Sequence, residues 1–251
     1  RKEKIEFSDL KFSPDSKKTL LKVISKGQIK HFLIDLTREL GTLQFLTSLD
    51  FLGKNIKEVA FSPQEIQNTQ RLFFLKNGTL NEADLVKKQI LPTPLTNILS
   101  WSFQGHNLYY LEKDGYLYST DFSFSVKEKI NKISFKPKAE GQYEISPLAN
   151  LLFLKENGDL YLLNPESKVF ERFFENGKNI KISPDFGKLV YASDSEMWVF
   201  FLKDQTDQPQ KLAGERVFLT RFSEKIGGVF WLHSNYVIFQ IGDKIKIAEI
   251  D

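Results

Sequence analysis

Three histidines, no cysteine and no nucleophile motif bound the chemistry open to this chain. A metal site needs histidine or carboxylate ligands drawn together. His31, His106 and His233 fall at different points of a repeating pattern, the first in a predicted third strand and the others near a first hairpin corner. A shared metal site is not expected from that mismatch. A Ser-His-Asp hydrolase needs its serine on an elbow such as G-x-S-x-G, which does not occur. No G-x-x-x-x-G-K-[ST] phosphate loop and no dinucleotide fingerprint occur either. The adjacent Gly227-Gly228 reads as a bend before a strand. Zero cysteines exclude thiolate zinc sites, a cysteine nucleophile and a disulfide framework. No cofactor is expected, and the reading is of a protein that is not an enzyme.

Ser13-Pro14-Asp15 and Ser183-Pro184-Asp185 place a hydroxyl beside a carboxylate. Such side chains satisfy backbone groups at a chain corner, while proline stops the preceding strand. Asp15 and Asp185 are therefore expected to be turn residues rather than acids. Trp101, Trp198 and Trp231 are expected to fill the space between sheets rather than to stack on a ligand.

The elements that position these residues repeat along the chain. In Tyr143–Phe174, Tyr143–Ser146 reads as a strand ended by Pro147, and Asn150–Lys155 as an apolar second strand. Glu156-Asn157-Gly158-Asp159 is a tight hairpin turn, because Asn-Gly supplies two positive φ angles. Leu160–Leu163 and Lys168–Phe174 complete the unit. Five further units turn at Lys26-Gly27, Asn77-Gly78, Asp114-Gly115, Asp194-Ser195 and Gly242-Asp243. Fourth strands are predicted at Thr42–Leu46, Lys88–Leu91, Ser125–Ile130 and Gln210–Ala213, and a turn or two of helix near Gln64–Asn68. A repeat of about 40 residues is the length of a four-stranded propeller blade. Second strands such as Leu72-Phe73-Phe74-Leu75 are continuous apolar runs, which suits strands covered on both faces.

These units predict an all-β fold: a six-bladed β-propeller of four-stranded antiparallel blades, one domain over residues 1–251. The sixth unit carries no fourth strand of its own. Arg1–Phe7, with Ile5 and Phe7 alternating against charge, is expected to pair there as the outer strand and close the ring. A seven- or eight-bladed ring cut short is the alternative.

Of the 251 residues, 41% are hydrophobic and 23 are phenylalanine, enough for a substantial core. The 35 basic and 32 acidic residues leave a net charge of +3, with no cluster suited to nucleic acid or an anionic membrane. Lys17-Lys18 and Lys87-Lys88 read as solvated strand ends. No apolar run approaches the roughly 18 residues of a membrane span, and no signal peptide is seen. The sequence begins with Arg1 rather than Met. A chain trimmed from something longer, with a targeting or anchoring segment before Arg1, is expected.

Phe12-Ser13-Pro14-Asp15-Ser16-Lys17-Lys18 and Ile182-Ser183-Pro184-Asp185-Phe186-Gly187-Lys188 resemble the S-P-D-G-K motif of TolB-like, WD-repeat-like propellers. Phe61-Ser62-Pro63 and Ile145-Ser146-Pro147 are partial copies, whereas Trp101-Ser102 and Trp231-Leu232 replace Ser-Pro in the third and sixth units. The chain is also similar to C-terminal propellers of bacterial PEGA-domain surface proteins, although it holds no PEGA module. The resemblance implies an extracytoplasmic bacterial interaction domain, periplasmic or at the cell surface.

The segment Gly53-Lys54-Asn55-Ile56-Lys57 recurs as Gly177-Lys178-Asn179-Ile180-Lys181, each time before an inner strand. Loops leading into inner strands line one mouth of a propeller channel. Asn55, Lys57, Asn179 and Lys181 are therefore the predicted binding residues, offering amides and positive charge to an acidic peptide or an anionic group. The expected function is protein or peptide binding, or scaffolding. The alternatives are a small-ligand or enzymatic site in the channel and a plain architectural spacer.

Overall fold

The structure, a computed structural model, describes residues 5–40, 42, 45–63, 71–206 and 209–250. They form two compact units, Arg1–Lys129 and Ile130–Asp251. In the first, sheet one is β1 (Ile5–Phe12), β2 (Lys18–Ser25), β3 (Gln28–Asp35) and β4 (Leu46–Ser48). Sheet two is β5 (Val59–Phe61), β6 (Arg71–Lys76), β7 (Thr79–Asp84) and β8 (Gln89–Pro92). Sheet three is β9 (Ile98–Gln104), β10 (Asn107–Glu112), β11 (Leu117–Thr120) and β12 (Glu128–Lys129).

In the second unit, sheet four is β13 (Tyr143–Leu148), β14 (Leu151–Glu156), β15 (Asp159–Leu163) and β16 (Phe170–Phe174). Sheet five is β17 (Asn179–Ile182), β18 (Lys188–Ala192), β19 (Glu196–Phe201) and β20 (Arg216–Arg221). Sheet six is β21 (Ile226–His233), β22 (Tyr236–Ile241) and β23 (Lys244–Glu249). Every sheet is an antiparallel meander in chain order, the blade of a β-propeller, so the all-β six-bladed reading stands.

Local chemistry explains the hairpins. Lys26-Gly27, Asn77-Gly78 and Asn157-Gly158 each take positive φ at both central positions, as a type I′ turn demands. Inter-sheet burial explains the composition of the second strands. All five residues of β18 are buried, as is the central triplet of β6 and of β14. Leu20, Leu72 and Phe74 join sheets one and two. Phe73, Trp101 and Tyr110 join sheets two and three. Phe153, Phe173 and Tyr191 join sheets four and five, and Val190, Val199, Val229 and Phe239 join five and six. All three tryptophans lie against these cores, as expected.

The Ser-Pro-Asp corners are structural. The Ser13 hydroxyl donates to Asp15 Oδ1 at 2.6 Å and accepts from the Lys18 amide at 2.9 Å. The Ser183 hydroxyl repeats both bonds with Asp185 (2.5 Å) and the Lys188 amide (2.9 Å). Burial alone would raise the Asp185 carboxyl, but donors from Ser183 and the Gly187 amide hold it below the usual carboxylate range. Phe186 holds the left-handed position (φ 56°) that Ser16 holds in sheet one (φ 58°). It is 57% exposed, so nothing in the core compensates for this backbone conformation. Phe186→Gly is therefore expected to stabilise the protein by about 1 kcal/mol, read as a higher urea midpoint at unchanged m-value.

Several predicted elements move. Of the predicted closing segment Arg1–Phe7, Ile5, Glu6 and Phe7 open β1 and pair with Ser25, Ile24 and Val23 rather than with sheet six, while residues 1–4 lie outside the described residues. The fourth strand of sheet five is Arg216–Arg221 rather than Gln210–Ala213. The predicted stretch belongs to a loop pinned by the Ala213 amide on Asp204 Oδ1 (2.8 Å) and turned at Gly214 (φ 88°). The fourth strand of sheet one is Leu46–Ser48, past the predicted Thr42–Leu46. Pro147 does not end its strand: it sits within β13 opposite Leu152, on an edge strand that needs no N–H from it. The helix expected at Gln64–Asn68 lies outside the described residues. Among the described residues no helix is long and apolar enough to cross a membrane.

Candidate interaction surface

The two copies of Gly-Lys-Asn-Ile-Lys fold differently, and the predicted binding residues divide between the two units. Asn55 is exposed in a left-handed conformation (φ 57°), and its Oδ1 accepts from the Ile29 amide of sheet one at 3.3 Å. Asn179 begins β17 and donates from Nδ2 to the Gly227 carbonyl of sheet six at 3.1 Å. Both amides thus link neighbouring sheets. Lys57 and Lys181 are exposed. The Lys181 carbonyl accepts from the Trp231 indole at 2.9 Å.

The histidines serve apart. His31 is buried with Nε2 2.8 Å from the Ile56 carbonyl, while His106 and His233 are exposed. Among the described residues no three of His, Cys, Asp and Glu converge as a metal-binding group.

Sheets four and five enclose a groove of about 740 Å³ lined by Arg172, Glu175, Lys178, Asp194 and Glu196. Its charges neutralise one another. Lys178 meets Asp194 at 2.5 Å, Arg172 meets Glu175 at 2.9 Å, and Arg221 meets Glu196. The Lys178 ammonium holds the Asp194 carboxyl below its ordinary value. Asn179 and Lys181 do not line this groove. A second hollow of about 550 Å³, between sheets five and six, is lined by Asp185, Lys188, Asp204, Gln205 and His233. There the Lys188 ammonium donates to Asn235 Oδ1 at 2.9 Å and the Ser234 carbonyl at 3.1 Å.

The most exposed apolar surface of the second unit was not anticipated from the sequence. β22 alternates exposed or half-buried Tyr236, Ile238 and Gln240 with buried Val237, Phe239 and Ile241. The buried set faces sheet five. The other set shares its face with Phe230 and Ile247, which lie on either side of Ile238 in register. Phe230 and Ile247 are each 59% exposed and Ile245 is 77% exposed, with Leu232 also open. A contiguous apolar face of this kind is the signature of a docking surface rather than of scattered surface hydrophobes. The Lys-Ile-Lys-Ile alternation at 244–247 reads as a strand with its isoleucines covered, yet all four residues are exposed. In the first unit Phe7, Leu10 and Phe12 are likewise exposed along β1. Sheet one, however, has its full set of four strands.

Comparison with known proteins gives architecture alone. No family model matches the chain, and no curated protein matches it. Among solved structures it is similar to a computationally designed protein, Ika8, at 14% identity and a TM-score of 0.55. That match covers 97% of this chain and 71% of the designed one. It is also similar to a chain of the mitotic checkpoint complex, at 10% identity and a TM-score of 0.59, over 99% of this chain and 78% of that one. The likeness is one of fold.

Proposed function

We propose that this propeller is a non-catalytic protein-interaction domain that docks its partner on the bare face of sheet six. The supporting observation is the row Phe230, Ile238 and Ile247, flanked by Ile245, exposed or half-buried on a sheet whose other face packs Val229, Val237, Phe239 and Ile241 against sheet five. Aromatic and aliphatic side chains in such a row lose little conformational freedom on docking and gain by leaving water. The chain similar to this one within the mitotic checkpoint complex shows that the fold is at home in a multiprotein assembly. The Ser-Pro-Asp corners support membership of the TolB-like propellers, and with it an extracytoplasmic bacterial setting.

The test compares three immobilised forms of the domain, each checked for an unchanged melting temperature, against an envelope fraction of the source organism. Phe230→Asp with Ile247→Asp should abolish retention of partners held by the wild type. Lys57→Glu with Lys181→Glu should leave retention intact. The reverse pattern would move the site to the loops before the inner strands.

A further inference from the structure

Sheets one to five each have four strands, and in each the third strand is paired on both sides. In sheet six β23 is the third strand, and among the described residues it pairs only with β22. Among the described residues no strand lies beside the outward N–H and C=O groups of Lys244–Glu249, the outer edge of β23. We infer that this edge accepts an extended strand from a partner chain, with side chains that alternate between acidic and apolar. This rests on the interaction reading above and names the form of the partner.

The pattern of the incoming strand follows from β23. Ile245 and Ile247 point to the bare face, and strand neighbours there extend the apolar row. Lys244 and Lys246 point to the opposite face, beside Ile241 and Phe239. Lys246 lies 4.8 Å from the Phe222 ring, and among the described residues neither lysine has a carboxylate in ion-pair range. In sheets four and five an acid of the third strand meets an arginine of the fourth. Arg172 of β16 reaches Asp159 of β15 at 3.0 Å, and Arg221 of β20 pairs with Glu196 of β19. Lysines on β23 thus ask for carboxylates on its neighbour. They also argue against a second copy of this chain as the occupant, because two such edges would bring lysines close to lysines. Main-chain bonds supply affinity in strand addition, and alternate side chains supply specificity.

The probe is a seven-residue peptide alternating glutamate and valine, titrated to millimolar concentration into the whole domain. Backbone amide shifts and hydrogen exchange of β23 are the readout. The expected result is slowed exchange at the outward amides of Lys244–Glu249. Two peptides act as controls. One alternates lysine and valine, and is expected to bind about tenfold more weakly. The other keeps every side chain but carries N-methyl groups on alternate amides, and is expected to lose binding. Equal binding of the methylated peptide would overturn strand addition while leaving the apolar face as a docking surface. Equal binding of the basic peptide would overturn the charge assignment. No binding of any peptide, with partner retention intact in the variant test above, would overturn this inference alone. Sedimentation of the domain as a dimer that Ile245→Lys dissociates would assign the edge to a second copy and overturn it too.

Discussion

Phe153→Ala is expected to lower unfolding free energy by about 3–5 kcal/mol. Phe153 has no exposure in β14, and its ring meets Phe173 edge-on at 5.2 Å. The same core holds Leu160 of sheet four with Leu189 and Tyr191 of sheet five. Removing the ring leaves a cavity between two sheets, and neither can collapse into it without disturbing the ladders on either side. Phe153→Leu, which keeps most of the volume, is expected to recover more than half of the loss. Denaturant melts of the two variants check this, and equal midpoints for Phe153→Ala and wild type would disprove that the inter-sheet core carries stability.

Lys188→Ala is expected to cost about 3 kcal/mol, although lysine is ordinarily a surface residue. Its side chain is buried, and the ammonium donates to two acceptors on the first hairpin of sheet six. The substitution removes both charge-assisted bonds and strands a carbonyl and an amide oxygen inside a polar hollow. Lys18 holds the same place in the sheet-one corner but is only half-buried, and among the described residues no hydrogen bond fixes its ammonium. Lys18→Ala is therefore expected to cost about 0.5 kcal/mol or less. The contrast between the two, measured in the same denaturant, separates the role of the buried ammonium from that of the corner itself.

What could be read from the sequence divides along physical lines. The hairpins at Asn77-Gly78 and Asn157-Gly158 were legible because two residues alone determine such a turn. The second strands were legible because Leu72–Leu75 and Leu151–Leu154 have apolar side chains on both faces. Outer strands were harder. Arg216–Arg221 mixes charge with apolar residues as Gln210–Ala213 does, and only the loop's own bonds decide between them. The alternation of Ile5 and Phe7 announced a strand without naming its neighbour, and β2 rather than β23 became that neighbour. The repeated Gly-Lys-Asn-Ile-Lys misled for a related reason. Identical residues became coil in one place and strand in the other, because different partners met Asn55 and Asn179. The bare face of sheet six was hidden in a run, Val237-Ile238-Phe239, that reads as buried on both sides.

The chain-ordered meander also governs how this protein comes into being. Every described strand pairing joins strands that are consecutive in the sequence. Each described pairing can therefore form as soon as its own segment of roughly 40 residues has left the ribosome, without waiting for a distant strand. Folding can follow synthesis blade by blade, and within each compact unit a new sheet offers its apolar face to the next as that one emerges. Until its successor emerges, each sheet of the nascent chain thus waits with one apolar face still open to water.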